Sequence, residues 1–154
     1  WLTVSGSENI RIIAGNKIVF GYDSSQKKVY KVGTGGISSP INTGEVHSLS
    51  AAGNYVLVKS KDSAKLYKDG APAAVSGLPS GSTAICPAGA DDKIFVLAGS
   101  KIHYYDGSNF SDKTISISKS PVSISYFKER ETILLGCTKG YTEVKVNTTL
   151  TITF

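Results

Sequence analysis

His47 and His103 are the two imidazoles in the chain, the side chains best suited to general-base work near neutral pH. A nucleophilic triad would need one of them beside an activated Ser or Cys. Both lie in strand-like patterns without a recognisable nucleophile motif, so structural roles are expected. Asp91 and Asp92 are adjacent in an expected turn, where their carboxylates point apart and make a poor acid/base pair. Val32-Gly33-Thr34-Gly35-Gly36 has the glycine content of a phosphate loop. It lacks the following Gly-Lys-Ser/Thr and a helix to supply an N-terminal dipole, and is read as a flexible loop between repeats. Asp106-Gly107-Ser108-Asn109-Phe110-Ser111-Asp112 offers oxygen ligands, but not in the alternating order of a calcium loop, and is read as a turn. Cys86 and Cys137 are too far apart in sequence for a zinc knuckle and are expected to be buried free thiols in a reducing compartment. Tyr30, Tyr67, Tyr104, Tyr105 and Tyr126 interleave with lysines, a mixture that could stack nucleic-acid bases. Their recurrence at a regular spacing favours packing instead. No catalytic, cofactor-binding or metal-binding residue is assigned, and no cofactor is expected.

That regular spacing comes from the elements that would carry these residues. Four apolar runs begin with Lys17-Ile18-Val19-Phe20-Gly21, Asn54-Tyr55-Val56-Leu57-Val58, Lys93-Ile94-Phe95-Val96-Leu97 and Thr132-Ile133-Leu134-Leu135-Gly136. Counted from Ile18 to Tyr55, Ile94 and Ile133, the steps are 37, 39 and 39 residues, a repeat unit. A polar turn and a second strand-like segment follow each run: Lys28–Val32, Ala64–Tyr67, Lys101–Tyr105 and Tyr141–Val146. Shorter alternating segments precede the last three runs at Val46–Ser50, Thr83–Cys86 and Val122–Tyr126, and Leu2–Ser5 is expected to fill that place in the first repeat. Turn formers such as Asp69-Gly70, Asp106-Gly107 and Lys139-Gly140 separate the segments. Without a sustained 3.6-residue apolar period, helices should be few.

Three or four short strands per repeat of about forty residues is the arithmetic of a β-propeller blade. The expected fold is therefore all-β and WD40-like, with about four blades of four-stranded antiparallel sheets, at approximately 1–43, 44–80, 81–119 and 120–154. The near-continuous apolar runs fit middle strands covered on both faces by neighbouring blades. Four blades would leave open faces and edges, so the chain is expected to be part of a larger ring, closed by further blades of the same parent chain or by a second copy. Leu150–Phe154 alternates like an outer strand.

At 154 residues, 40% hydrophobic and with sixteen glycines, the composition is that of a folded, turn-rich chain. No apolar run is long enough for a membrane-spanning helix. Trp1-Leu2-Thr3-Val4-Ser5 lacks the basic-then-apolar order of a targeting signal, and a start at Trp fits a fragment or processed product. The net charge of +5 favours acidic partners, although the lysines are scattered over turns and strand ends. Asn109-Phe110-Ser111 and Asn147-Thr148-Thr149 are glycosylation tripeptides that matter only in a secreted protein.

The stretch from Gly21 to Val146 resembles the second propeller of the actin-interacting protein 1 family, a WD-repeat group. Gly21-Tyr22-Asp23 followed by Lys28–Val32 is similar to that family's blade ending, with Tyr22 where Trp is usual. Leu49-Ser50-Ala51-Ala52-Gly53 resembles its Val-Ser-Ala-Asp-Gly turn, and Lys101-Ile102-His103-Tyr104-Tyr105 its Lys-Val-His-Val-Tyr strand. Lys65–Gly70 and Pro121–Tyr126 are similar to further strands of the same propeller. The resemblance implies a cytoplasmic, cytoskeletal scaffold of two joined seven-bladed propellers that works with cofilin to disassemble actin filaments; enzymatic activity is not expected, since no nucleophile, metal set or cofactor loop is visible. It carries no family contact residue onto this sequence. The alternative expectation is a secreted or surface propeller recognising glycans or an extracellular protein, motivated by Asn109 and Asn147. Neither membrane nor nucleic acid is expected as a partner.

Overall fold

The computed structural model describes residues 4–146, leaving aside the side chains of Asp112 and Lys113. Alternating and β-branched segments form fourteen strands among these residues, and no α-helix occurs there. The strands are β1 (Ile10–Gly15), β2 (Val19–Asp23), β3 (Lys28–Gly33), β4 (Gly36–Asn42), β5 (Ser48–Ala52), β6 (Tyr55–Lys59) and β7 (Ala64–Lys68). They continue as β8 (Ser82–Pro87), β9 (Ile94–Ala98), β10 (Lys101–Tyr105), β11 (Phe110–Ser116), β12 (Pro121–Phe127), β13 (Thr132–Cys137) and β14 (Tyr141–Lys145). Among the described residues a single 3-10 turn, Lys128–Arg130, joins β12 to β13.

Sequential strands pair antiparallel in four sheets, β1-β2-β3-β4, β5-β6-β7, β8-β9-β10-β11 and β12-β13-β14. This is the up-and-down meander of propeller blades, and the fold is an all-β propeller. Cα packing divides the chain into two compact units of two sheets each, the first ending at Leu78 and the second beginning at Pro79.

In the first unit β1 lies beside β5, so the first strands of successive sheets are neighbours. One face of the first sheet, carrying Phe20, Tyr22, Val29 and Ile41, packs with Val56, Val58 and Tyr67 of the second. Polar contacts lock the same pair of sheets. The Asn16 Oδ1 accepts the Gly53 N–H at 3.2 Å, and Lys31 Nζ lies 2.8 Å from Asp69 Oδ1. The Tyr22 hydroxyl donates to the Gly44 carbonyl at 3.0 Å, tying a core ring to the link between the sheets. Gly21 is required by close approach. A Cβ there would meet Ile10 Cγ2 at 2.8 Å and Val32 Cγ2 at 3.0 Å.

The second unit repeats the plan. β8 lies beside β12, and Phe95, Leu97, Ile102 and Ile115 of one sheet pack with Ile124, Ile133 and Leu135 of the next. All five residues of β9 are buried, so the second strand is covered on both faces, as its unbroken apolar run requires.

Three features differ from the sequence expectations. The first strand among the described residues is Ile10–Gly15; of the expected strand Leu2–Ser5, Leu2 and Thr3 lie outside the described residues, and Val4–Ser7 is a turn in which the Val4 carbonyl accepts from the Ser7 hydroxyl at 2.7 Å. Val32–Gly36 is not a loop between repeats but a tight hairpin inside the first sheet, with Gly33 opposite Gly36. The second sheet has three strands, with its outer place reduced to one bridge, Tyr67 to Ala74, and a bond from the Val75 N–H to the Leu66 carbonyl at 2.7 Å. There the left-handed pair Asp69 (φ 49°) and Gly70 (φ 72°) turns the chain, and Pro72 can give no N–H to a ladder. The expected strand Leu150–Phe154 lies outside the described residues.

Leu97 has no exposed surface in the second unit's core. Leu97→Ala is expected to cost about 2–5 kcal/mol through lost burial and the cavity left behind, read as a lower urea midpoint with an unchanged slope.

Candidate functional site

The residues singled out for chemistry are dispersed. His47 is exposed just before β5, where its backbone N–H donates to the Lys59 carbonyl at 2.8 Å. His103 sits in β10 between Val96 and Thr114, and partial burial, then the Lys101 charge, pull its pKa below the ordinary imidazole value. Asp91 and Asp92 occupy the turn between β8 and β9. Asp106 is used by its own turn. Its Oδ1 accepts the N–H groups of Asn109 (2.7 Å) and Ser108 (2.8 Å), and these bonds hold the carboxyl below its usual pKa. Asn109 is exposed at the same turn, while Asn147 lies outside the described residues. Among the described residues no cluster of three or more His, Cys, Asp or Glu forms a metal site. Cys86 and Cys137 are free thiols, the first buried and the second half-buried, so the expectation of two buried thiols holds only for Cys86.

The tyrosines separate by burial. Tyr30, Tyr67 and Tyr105 are buried in the sheets. Tyr104 of β10 and Tyr126 of β12 are half-buried and converge on a third ring, Phe95 of β9. The Phe95 centroid is 5.7 Å from that of Tyr104 and 5.4 Å from that of Tyr126, the latter ring edge-on at 66°. Both separations fall in the favourable range for tilted and T-shaped pairs.

These rings floor a recess of about 390 Å³ whose rim is made by two turns. One runs from Ala88 through Gly89 and Ala90 to Lys93, and the other from Lys128 to Glu131. Each follows the first strand of its sheet, so the meander sets them at the same end of neighbouring blades. Both are pinned by backbone bonds. The Ala88 N–H donates to the Lys93 carbonyl at 2.9 Å and the Lys93 N–H to the Ala90 carbonyl at 3.1 Å. The Glu131 N–H donates to the Lys128 carbonyl at 3.2 Å, and the Glu131 carbonyl accepts the Val146 N–H at 2.7 Å. Glu131 takes the left-handed conformation, φ 48°, that reverses the chain into β13.

The recess therefore joins an aromatic floor to turns that carry charges of both signs, Asp91, Asp92 and Lys93 on one and Lys128, Glu129, Arg130 and Glu131 on the other. Burial pushes the Tyr126 phenol above its usual pKa, with the charge of Glu131 next among its neighbours. A second groove, about 520 Å³, runs along Ile115–Ser118 and Thr142–Lys145, but its lining has no ring. Tyr104 and Tyr126 were visible in the sequence as tyrosines among lysines. Phe95 was hidden inside the apolar run that begins at Lys93, and Lys128 and Glu131 were not singled out. The signal that marks them is their place, just after the first strand of two successive repeats.

No family model matches the sequence, and no curated protein matches it either. Solved structures match over nearly the whole chain. It is similar to a chain of the mitotic checkpoint complex, with TM-score 0.67 and 10% identity over 94% of this chain and 51% of that one. Hydrazine synthase of Kuenenia stuttgartiensis gives TM-score 0.64 and 11% identity over 93% of this chain and 49% of that one. BamB of Moraxella catarrhalis gives TM-score 0.57 and 11% identity over 84% and 40%. At such identities the likeness is one of fold, a β-propeller. The chain spans about half or less of the length of these structures.

Burial pushes the Cys86 thiol up to about 12. In the folded protein Cys86 should resist a thiol reagent from pH 7 to about pH 9, since the thiolate is the reactive form, and should react once urea opens the sheet. Mass-spectrometric mapping of the labelled cysteine checks this.

Proposed function

We propose that this chain is a non-catalytic protein-binding scaffold that presents the pinned turns of neighbouring blades to a macromolecular partner. The observation that carries the reading is the concave, ring-floored recess at the ends of β9 and β12, rimmed by Lys93, Lys128 and Glu131. It has the makings of a recognition site: an apolar floor, a few polar groups at the edge, and turns already held in place by backbone bonds.

The net charge of +5 supports an acidic partner. The resemblance of the strand segments from Gly21 to Val146 supports a more specific one, the cofilin-decorated actin filament in the cytoplasm. In this reading further blades of the parent chain, or a second copy, complete the ring.

The test is co-sedimentation of the intact parent protein with cofilin-decorated filaments across a salt series. Binding at about 50 mM salt that falls several-fold by about 200 mM is expected, because screening weakens attraction between exposed charges. No sedimentation of folded protein at the lowest salt rejects actin as the partner.

A further inference from the structure

We propose that residues 150–154, which lie outside the described residues, add a fourth strand to the last sheet, antiparallel to β14, and lay Leu150, Ile152 and Phe154 into the groove between β14 and β11. The proposal concerns how this blade is completed and stands apart from the scaffold reading.

The groove has the outline of a strand. Each wall is a run of consecutive residues, 115–118 at the end of β11 and 142–145 in β14, so it follows the edge of one sheet along its neighbour. Among the described residues β14 pairs with β13 alone, whereas β10, the corresponding strand of the preceding sheet, also pairs with β11. An edge of this kind presents backbone donors and acceptors to any strand that can reach it. Ile115 and Ile117 make one wall apolar, and Val144 and Val146 belong to the same packed cluster. At about 520 Å³ the groove is larger than a single side chain requires.

The sequence supplies a segment of matching pattern at matching distance. Leu150-Thr151-Ile152-Thr153-Phe154 alternates apolar residues with β-branched polar ones. A three-residue hairpin loop at Asn147-Thr148-Thr149 sets Val146 opposite Leu150, Val144 opposite Ile152 and Thr142 opposite Phe154. Thr142 and Val144 are half-buried and Val146 is buried, whereas Glu143 and Lys145, opposite Thr153 and Thr151, are exposed. The apolar side chains thus fall on the face that meets Ile115 and Ile117, and the threonines on the face turned to water. A slip of one residue would set Leu150 and Ile152 beside Lys145 and Glu143 in solvent, so burial fixes the register. A second copy pairing edge to edge with β14 is the competing occupant. The tethered segment has the advantage over it, because a short loop holds it at high effective concentration.

The experiment is backbone amide exchange of the full chain, read by mass spectrometry at two protein concentrations about ten-fold apart. Amides of residues 150–154 are expected to exchange at least about ten-fold more slowly than in the unfolded chain, equally at both concentrations. Ile152→Lys, which puts an ammonium group into the apolar groove, should abolish that protection and lower the protection of residues 142–145. Thr153→Lys, with the same new side chain on the opposite face beside Glu143, should leave both within about two-fold of wild type. Retained protection of β9 establishes that the variants fold, and the wild-type measurement decides the matter alone if Ile152→Lys does not.

Exchange of residues 150–154 at the unfolded-chain rate overturns the proposal. So does protection that rises with protein concentration, the signature of a second copy on the β14 edge. Equal effects of the two lysine substitutions overturn it as well, because they remove the assigned face.

Discussion

Each sheet of this protein has a second strand that water cannot be allowed to reach. Phe20 and Tyr22 in β2, Tyr55 to Val58 in β6, Ile94 to Leu97 in β9, and Ile133 and Leu135 in β13 are buried, and in β6 and β9 the buried residues point alternately to opposite faces. Within each unit, stacking one sheet against the next covers one face of these strands. The first strands come side by side as a consequence, β1 with β5 and β8 with β12. The remaining contacts refine an arrangement that burial of the second strands imposes.

The same stacking creates the recess. Two sheets of equal plan, set face to face, bring equivalent turns to the same end, and the small residues Ala88, Gly89 and Ala90 leave space above Phe95. Backbone hydrogen bonds carry both turns. By contrast the Asp106 and Asp23 carboxylates are absorbed by local structure. Asp23 Oδ1 accepts from the Ser25 hydroxyl at 2.6 Å and from the backbone N–H groups of Ser25 and Gln26, and the hydroxyl bond leads in holding its pKa below the usual value. Acidic residues that look like ligands in the sequence are here the fasteners of turns.

What could be read from residues alone follows from how strongly burial marks them. The second strands were legible because burial on two faces leaves an unbroken apolar run, and the third strands because Val29, Leu66 and Ile102 alternate with polar neighbours. β1 was missed since only one face of Ile10–Gly15 is covered, and only partly, with Ile13 65% exposed. β4 went unread beyond Gly36 because its buried anchor, Ile41, stands after the run Ser38-Ser39-Pro40. The recess was beyond reach because it depends on two sheets meeting, and neither Phe95 nor Lys128 carries a local mark of that meeting. The specific partner is a matter of surface chemistry, which the fold leaves open.

Native-state hydrogen exchange tests the dependence on the second strands most directly, since protection reports the free energy of local opening. Amides of β6 and β9 should exchange last in their respective units, and those of β1, β4 and β11 markedly sooner. Slowest exchange in the outer strands, with β6 and β9 open to solvent, would contradict an architecture built on burying the second strand of each sheet.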